Sequence, residues 1–508
     1  MDLYCGNARQ LAVRLVCISV TIMASPVYGQ PVSKNSIQPY TKNPCYWQYE
    51  GKPMMLLGGN KWDAPFFIQD QKSVYDNLQA AGGNYLRYIL KQRQDDSGQV
   101  TKLVRIFPFR KLSKGKYDLN QWSDDYWSRF SSGLRMCQDR DIIVQITLWD
   151  RFDFYREEWE VSPWNPKNNV NYTSSESGLA SSYPTHPWKD TNPFMKTVPT
   201  MQNNAVVLDF QKKLIGKMIS ISLKHNNVLY NMANEGNPSQ EKWDQWWCEF
   251  IRSKASVAGK TIYTTTMFDK KDWDPVINNP GTYTYVEGSK VGSRWTEKGY
   301  TQYDVAVGLI NAANAKQVRP VNAVKIRTQK IEKHAQERLW RPLMAGFATL
   351  SHHRTTNGTY TAGGPNSGDD NHASNTYLHG GLGLEQDAKN DIKAMRVFTD
   401  VVVPWETLPR QDLLTNRASD EAYLRAKAGE VYGLYFVDTG SVGLKLGGVS
   451  GTFRLRWIDI AKGGYTGAEQ TLTAGNTVTI TTPGSTTGGW AAVITKTADH
   501  RVPAPPNK

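Results

Sequence analysis

The segment Asn227-Val-Leu-Tyr-Asn-Met-Ala-Asn-Glu-Gly-Asn237 decides how the rest of this chain is interpreted. Its apolar run, 228–232, predicts a short buried strand, and Asn234 and Glu235 follow at the carboxyl end of that strand. In a (β/α)8 barrel the carboxyl ends of all eight strands open onto one face, where chemistry takes place. An acid beside an amide at that face suits proton transfer to a leaving oxygen. A helix N-terminus, capped by Asn234 or Asn237, is the alternative interpretation.

Seven further strand-like runs alternate with helical stretches around this segment, which is the pattern of an α/β barrel. The eight predicted strands are 53–58, 84–90, 142–148, 228–232, 261–267, 283–286, 321–326 and 346–350. The predicted helices are 71–81, 124–140, 203–224, 240–258, 300–315, 332–344 and 386–399. We therefore predict a complete (β/α)8 TIM barrel over residues 36–400, with a hairpin around Gly51 that closes its floor.

The composition changes after residue 400, where short alternating segments are separated by Gly, Asp, Ser and Pro. The segments 433–437, 442–446, 452–457, 477–481 and 490–494 are typical of a small antiparallel β-sandwich. We predict a C-terminal β-sandwich domain over residues 401–499, which either packs against the barrel or binds glycan weakly. A disordered tail, 500–508, is expected to follow it.

The first 29 residues have the features of a secretory signal peptide. Arg9 and Arg14 precede an apolar run, and Val27-Tyr28-Gly29 supplies small residues for cleavage. The run is too short to cross a membrane, and no later segment approaches the length of a span. We therefore expect a secreted or periplasmic protein without a membrane span. Three cysteines remain beyond residue 29, too few for a disulfide framework and without a metal-ligand spacing, so neither a metal nor another cofactor is expected.

The chain combines positive charge with many aromatic residues. Its net charge is +13 with the signal peptide and +12 without it, and the whole sequence holds 17 Trp and 25 Tyr. No dense Lys/Arg block or basic amphipathic helix is evident in the sequence, so nucleic acid is not an expected partner. Aromatic faces stack on sugar rings, and Arg or Lys pairs with sulfate or carboxylate groups. The composition therefore predicts an anionic polysaccharide as the partner.

Five motifs carry a family resemblance, and they occur in a characteristic order. They are Gly51-Lys-Pro-Met-Met-Leu-Leu-Gly58, Gly82-Gly-Asn-Tyr-Leu-Arg87, Leu148-Trp-Asp-Arg-Phe152, Asn231-Met-Ala-Asn-Glu235 and Arg319-Pro-Val-Asn-Ala-Val-Lys325. Together they resemble the clan A glycoside hydrolases, and more narrowly the bacterial barrels followed by a small β-sandwich of the collagen-binding-domain type. The resemblance covers roughly residues 44–496. It implies that Glu235 is the acid/base, that Asn234 binds a sugar hydroxyl and that Arg87 orients a second carboxylate.

The seventh strand departs from the family pattern. Clan A enzymes carry a nucleophilic Glu there, whereas this chain has Val321-Asn-Ala-Val-Lys-Ile-Arg327 without an acid. Glu287, after the sixth strand, is the nearest acid at a neighbouring strand end, and Asp150, after the third strand, is the next. Glu287 either completes a catalytic pair with Glu235 or forms an ion pair that shapes the barrel floor. A carboxyl separation of about 5–5.5 Å would indicate a covalent intermediate, and about 6.5–9.5 Å would indicate inversion.

The predicted substrate contacts are polar, basic or aromatic side chains near strand ends. Two long loops, 149–203 and 352–383, are expected to wall a cleft around them. The lysines, the Trp residues and Arg87 have alternative roles, since rim lysines can be merely solvated, Trp rings can pack against loops and Arg87 can form a structural ion pair. A metal site at His352, His353 and later histidines is disfavoured, because their spacing matches no known ligand pattern. The predicted contacts are Asn60, Lys61, Trp62, Arg87, Trp149, Arg151, Asn234, Trp295, Lys325, His353 and Arg354.

The sequence thus predicts a secreted glycoside hydrolase that cleaves an anionic polysaccharide, with a sulfated algal galactan of the carrageenan or agar type as the preferred substrate. A polysaccharide lyase is the first alternative, in which Lys325 or His353 abstracts the proton alpha to a uronate that Arg87 holds. A glycan-binding barrel without catalysis is the second. A lyase gives a UV-absorbing unsaturated product, a hydrolase gives new reducing ends, and a binding protein gives neither.

Overall fold

The computed structural model describes residues 35–60, 64–67, 70–90, 106–268, 273–289, 291, 300–327, 337–353, 386–486 and 488–497. The predicted signal peptide, the predicted tail and most of the 352–383 loop lie outside these residues. So do four predicted substrate contacts, namely Lys61, Trp62, Trp295 and Arg354, and the side chain of Asn60. Among the described helices, none combines the length and the apolar character that crossing a lipid bilayer requires.

Within these residues, eight parallel strands form a barrel, and a helix follows each strand. The strands, labelled β1 to β8, are Leu56–Asn60, Tyr85–Ile89, Ile143–Asp150, Val228–Asn234, Thr264–Thr265, Val286–Glu287, Val321–Arg327 and Thr349–His353. The helices, labelled α1 to α8, are Gln71–Ala80, Asp124–Gln138, Ala205–Ser222, Glu241–Val257, Asp274–Asn278, Gln302–Lys316, Glu337–Ala345 and Gln386–Val401. The predicted (β/α)8 TIM barrel is confirmed.

The barrel is closed between β5 and β6 by hydrogen bonds outside the regular ladder. The strands pair in the order β5-β4-β3-β2-β1-β8-β7-β6. The Thr264 carbonyl accepts the Thr284 N–H at 2.8 Å, and the Thr264 hydroxyl donates to the Thr282 carbonyl at 2.7 Å. The Thr284 hydroxyl in turn accepts the Thr264 N–H at 2.8 Å. Because side chains replace part of the ladder, β5 and β6 are shorter than predicted.

An N-terminal antiparallel sheet closes the floor of the barrel. Its central indole, Trp47, is fully buried and donates Nε1–H to Asn322 Oδ1 of β7 at 3.0 Å. The same ring packs edge-on against Tyr263 and Tyr285. Trp47 therefore fills the end of the barrel opposite the carboxyl ends of the strands. The strands of this sheet are Gln38–Tyr40, Asn43–Tyr49 and Lys52–Met54, with Gly51 at φ +76° in the predicted turn.

β1 and β8 both lie further along the chain than predicted. Residues 52–54 belong to the floor sheet, so β1 begins only at Leu56. Gly346, at φ +112°, donates its N–H to the Pro342 carbonyl at the end of α7, so β8 begins after it. As a result β8 extends to His353, which pairs with Asn60 at the end of β1.

The C-terminal region forms two antiparallel sheets with a shared apolar core, which confirms the predicted β-sandwich. Leu424, Leu434, Leu444 and Phe453 are among the buried core residues. Four strands were not predicted, namely the two-residue strands 408–409 and 414–415 and the longer strands 422–427 and 464–473. Arg425 interrupts the apolar pattern of 422–427, and 464–473 is largely exposed. One sheet has the spatial order Leu408–Pro409, Ala422–Lys427, Val431–Phe436, Trp490–Lys496, Thr452–Asp459 and Gly464–Thr473, and the other has Leu414–Thr415, Ser441–Lys445 and Thr477–Thr481.

The six-stranded sheet packs directly on α7 and α8 of the barrel. Trp340 of α7 stacks on Tyr435 with 5.3 Å between ring centroids, and Phe398 of α8 meets Trp340 edge-on. Gly433 permits this approach, because a Cβ at that position would lie 2.5 Å from Phe398 and 2.6 Å from Val402. Close contact of this kind indicates a fixed interface rather than a loosely tethered module.

Two buried arginines also cross this interface. Arg425 of the sandwich donates to the Tyr46 hydroxyl at 2.9 Å and to the Met344 carbonyl at 3.3 Å. Arg341 of α7 forms a bidentate contact with the Asp420 carboxylate, with Nε 2.8 Å from Oδ1 and Nη2 2.6 Å from Oδ2. Both guanidinium groups thereby join the barrel to the domain that follows it.

Candidate active site

Glu235 follows β4 in a backbone conformation that few residues other than glycine adopt. Its φ is +51°, and such outliers persist only where neighbours hold them in place. The Glu235 carbonyl accepts Arg151 Nη1–H at 2.8 Å, and the next N–H, of Gly236, bonds to the Met267 carbonyl at 2.8 Å. α4 begins only at Glu241, so Glu235 is not in its first turn. The turn instead directs the Glu235 side chain toward β7.

The Glu235 carboxylate pairs with Lys325, at the strand end where the family resemblance implies a second carboxylate. Lys325 Nζ lies 2.7 Å from Glu235 Oε1 and 3.2 Å from Asn234 Oδ1. The two charged side chains are only 6% and 3% exposed. A cation at this distance favours the ionised form of a carboxyl group. Lys325 therefore favours the ionised form of Glu235.

Asn234 connects this ion pair to β2 and β3. Its Oδ1 accepts Arg87 Nη2–H at 2.7 Å, and its Nδ2 donates to Asp150 Oδ1 at 3.0 Å. Asp150 Oδ1 also accepts the Phe152 N–H at 3.2 Å, which fixes the turn after β3. The amide oxygen thus faces two cations while the amide nitrogen faces an anion. These contacts give Asp150 a role in orienting Asn234.

Glu287, at the end of β6, is 2% exposed and lies in a different electrostatic environment. Burial raises the pKa of its carboxyl group to about 7, although bonds from Ser289 and the Arg87 charge act in the opposite direction. Ser289 donates both its N–H, at 2.9 Å, and its hydroxyl to Glu287 Oε1. The buried Oε2 accepts no hydrogen bond from the part of the chain that the structure describes. Glu287 can therefore hold a proton near neutral pH.

The strand register brings Glu287 and Glu235 to the same end of the barrel. Thr264 of β5 pairs with Tyr230 of β4, and its carbonyl accepts the N–H of Thr284 before β6. Met267, three residues after Thr264, donates its N–H to the Ala233 carbonyl at the end of β4. Glu287 is three residues after Thr284, so it lies at the same level of the barrel. Arg87, which bonds to Asn234, is also near enough to lower the pKa of Glu287. The structure thus brings together Arg87, Asp150, Asn234, Glu235, Glu287 and Lys325.

Three other predicted contacts are buried among protein side chains. Trp149 is fully buried among aromatic rings of α4 and of the loop after β3, so the predicted sugar platform is not formed by this residue. Arg151 lies 4.3 Å from the Trp188 ring and donates a hydrogen bond to the Glu235 carbonyl, so it holds the backbone at Glu235. His353 is 1% exposed at the end of β8. The roles of His353 and of the Asn60 side chain in binding substrate stay predictions.

The long loop after β3 is largely folded. It contains the short helices Arg156–Val161 and Ser174–Ser177. Trp159 and Trp164 within it are fully buried, and Trp188 covers the Arg151 guanidinium. The loop after β3, which was expected to wall a cleft, therefore has a core of its own. The positions of Trp188 and Ser289 in the site were not predicted, because they arise from contacts with distant segments.

Asp244 of α4 is a further buried acid behind Glu235. Burial raises the pKa of its carboxyl group from 3.8 to about 8. The Thr266 hydroxyl donates to Asp244 Oδ2 at 2.9 Å, and a Cβ on Gly236 would lie 3.5 Å from the same oxygen. Asp244 therefore packs beneath the turn that carries Glu235, and it is neutral over much of the ordinary pH range.

The described residues hold no cluster of three or more His, Cys, Asp or Glu side chains with the geometry of a metal site. His352 Nε2 lies 2.8 Å from Asp391 Oδ2 of α8, which places this histidine between the barrel and its outer helices. The active-site groups found in the described residues are therefore carboxyl, amide, guanidinium, ammonium and hydroxyl groups.

No protein-family model and no curated protein sequence matches this chain. Among solved structures, it is similar to a glycoside hydrolase family 5 protein from Bacteroides vulgatus, with a TM-score of 0.60 and 12% identity over 92% of this chain and 94% of that protein. A second glycoside hydrolase gives a TM-score of 0.57 and 10% identity, over 92% of this chain and 98% of that one. The expected resemblance to glycoside hydrolase barrels is confirmed at the level of the fold.

Proposed function

We propose that this protein is a glycoside hydrolase that cleaves a polysaccharide with the carboxyl groups of Glu235 and Glu287. The observation that carries the proposal is the different environment of the two carboxyl groups. Lys325 favours the ionised form of Glu235, whereas burial raises the pKa of Glu287 to about 7. Hydrolysis of a glycosidic bond requires one carboxyl group that donates a proton and one that is ionised. The environment of Glu235 favours the ionised form, and that of Glu287 favours the protonated form.

These charges favour Glu287 as the proton donor and Glu235 as the nucleophile or base. The family resemblance implies the opposite assignment, in which Glu235 is the acid. Lys325 accounts for the reversal, because a cation stands at the end of β7 where clan A enzymes carry their nucleophile. Asp150 is the reserve candidate, but its bond to Asn234 supports a positioning role. The carboxyl separation, and with it retention or inversion, stays a prediction.

An anionic polysaccharide is the proposed substrate, with a sulfated galactan of the carrageenan or agar type as the first to be tested. Arg87 and Lys325 place two cations beside the proposed catalytic groups. The net charge of +13, or +12 without the predicted signal peptide, supports attraction of an anionic polymer over a longer range. The signal peptide predicted for residues 1–29 supports a secreted or periplasmic enzyme, which would meet such a polymer outside the cytoplasm.

The function is tested by incubating the protein with sulfated galactans, their desulfated counterparts and uronate-containing glycans. We expect new reducing ends without UV absorbance, and faster release from the sulfated form of a matched pair. Glu235→Gln and Glu287→Gln should each lower the rate on the order of 10²–10⁴-fold. Glu249→Gln, an exposed change on α4, is the matched control. A UV-absorbing product would favour the lyase, and binding without any product would favour the non-catalytic barrel.

The assignment of roles is tested by azide rescue of alanine variants on a substrate with a good leaving group. In a retaining enzyme, azide that replaces the nucleophile gives an inverted glycosyl azide, whereas azide that replaces the base gives a retained one. We expect Glu235→Ala to give the inverted azide. The same product from Glu287→Ala would restore the assignment that the family resemblance implies.

A further inference from the structure

The end of β7 leaves the regular ladder at the point where Lys325 enters the site. Ala323 pairs with Leu350 and Ile326 with His352, so Val324 and Lys325 of β7 oppose one residue of β8. A bulge of this kind redirects a side chain and often stands next to an active site. It also gives two neighbouring N–H groups, of Val324 and Lys325, that need an acceptor outside the ladder.

Ser289, just after β6, supplies that acceptor. Its Oγ accepts the Val324 N–H at 2.9 Å and the Lys325 N–H at 2.8 Å. The same hydroxyl donates its proton to Glu287 Oε1. A serine hydroxyl has one proton and two lone pairs, so these contacts use its full capacity. The residue is only 6% exposed, which leaves little room for water to compete.

We propose that Ser289 is a positioning residue that fixes the Glu287 carboxyl group relative to the Lys325–Glu235 pair. One hydroxyl joins the bulge that carries Lys325 to the carboxyl group on the neighbouring strand. It holds Oε1 of Glu287, whereas Oε2 accepts no hydrogen bond from the described residues. The catalytic meaning of this arrangement rests on the proposed function, whereas its effect on the Glu287 carboxyl group can be measured separately.

Removal of the hydroxyl should raise the pKa of Glu287 further, because a bond donated to a carboxylate favours its ionised form. Other groups around Glu287 also affect its pKa, and the Val324 backbone lowers it. Arg87 on β2 lowers the pKa of Glu287, and Lys325 on β7 is held by Glu235. Tyr85 on β2 and Tyr285, which precedes β6, have pKa values raised well above 10 by burial, so both remain neutral. The change in titration is therefore assigned to Ser289.

The experiment compares Ser289→Ala, Ser289→Cys and Ser289→Thr in the full-length protein. The Glu287 carboxyl group is titrated by infrared spectroscopy with carbon-13-labelled glutamate, and the Glu287→Gln spectrum identifies its band. We expect the alanine variant to titrate at higher pH, to shift the matching limb of the pH–rate profile upward and to lose kcat on the order of 10²-fold with a smaller change in KM. Thr keeps a hydroxyl and should restore the profile. Cys, a weak donor of similar size, should shift it even if the alanine variant does not fold.

The outcomes separate this inference from the proposed function. A shifted titration in a protein that cleaves no glycan would support the Ser289 assignment and overturn the proposed hydrolase. An unshifted titration in the alanine and cysteine variants of an active enzyme would overturn the Ser289 assignment alone. Equal losses in the Thr and Ala variants, without any movement of the pH–rate limb, would also contradict it, because a purely structural role predicts that result.

Discussion

At the residue scale, Glu235 and Lys325 form an ion pair in surroundings that shield both groups from water. Removing one partner of such a pair leaves an uncompensated buried charge, which costs about 3–5 kcal/mol, whereas replacing both partners is often tolerated. The consequence for any test of catalysis is that Glu235→Gln affects stability as well as proton transfer. Its activity must be measured well below its own unfolding temperature.

We therefore expect Glu235→Gln and Lys325→Met each to lower the free energy of unfolding by a few kcal/mol. The double variant should be more stable than the sum of the single losses predicts, because it contains no unpaired charge. Urea unfolding of the four proteins gives the coupling energy directly. The exposed pair of Lys72 and Asp76, whose side chains are 71% and 42% exposed, is the control and should show almost no coupling. Additive losses at the buried pair would contradict the ion pair.

The sequence predicted the main residues of the site where their roles follow from position along a strand. Asn234 and Glu235 stand at the end of β4 and Arg87 lies within β2, so a correct barrel is enough to bring them close together. The roles of Ser289 and Trp149 could not be predicted in this way. Ser289 matters because a bulge in β7 needs an acceptor, and Trp149 is buried because α4 and a folded loop cover it.

At the element scale, α4 holds the buried Asp244 beneath the turn that carries Glu235. The folded state keeps its carboxyl group protonated up to a pH of about 8, whereas the unfolded chain ionises it near 4. The folded protein therefore binds more protons than the unfolded chain within this window. Stability contributed by Asp244 is fully present below about pH 4 and is lost as the pH rises toward about 8.

We expect Asp244→Asn to remove this loss, since the amide oxygen can still accept the Thr266 hydroxyl. Wild type and variant should have similar free energies of unfolding near pH 4, and the variant should be more stable by a few kcal/mol near pH 8. Denaturant unfolding across this range measures the difference, with Asp209→Asn, an exposed change on α3, as the control. Parallel stability curves for wild type and variant would show that Asp244 does not titrate as described.

The order and type of the elements were predictable because apolar runs and helical stretches alternate regularly along the chain. Local features that depend on neighbours were not. β5 and β6 are short because hydroxyl groups of Thr264 and Thr284 replace ladder bonds, and a threonine-rich strand shows no sign of this in its sequence. The strand 464–473 was missed for a related reason, since an exposed edge strand lacks the apolar alternation by which strands are recognised.

At the scale of the whole molecule, the barrel and the sandwich share buried contacts rather than a flexible linker alone. Arg341 pairs with Asp420 across the interface, and Trp340 stacks on Tyr435. We expect Asp420→Asn to lower the free energy of unfolding by about 1.5–3 kcal/mol, as for other hydrogen bonds to charged groups. Calorimetry should show a single unfolding transition for both domains, at a lower temperature in the variant than in the wild type, because each domain covers part of the core of the other.

Asp412→Asn is the matched control for this prediction. Asp412 pairs with Arg410 on the surface of the same domain, where the side chains are 62% and 33% exposed. Exposed pairs of this kind are worth about 0–1 kcal/mol, so the control should unfold almost like the wild type. A separate sandwich transition in the Asp420→Asn variant, with the barrel transition unmoved, would show that the two domains are energetically independent.

Trp47 has a consequence for the order of events while the chain is being made. The indole fills the floor of the barrel, yet its hydrogen-bond partner Asn322 lies 275 residues further along the sequence. When the N-terminal hairpin emerges from the ribosome, the residues that pack around this indole have not yet been synthesised. Contacts between such distant segments also form slowly, because a long stretch of chain must be ordered first. We infer that the floor of the barrel closes late. A nascent chain interrupted before β7 would have Trp47 without the packing site that β7 completes.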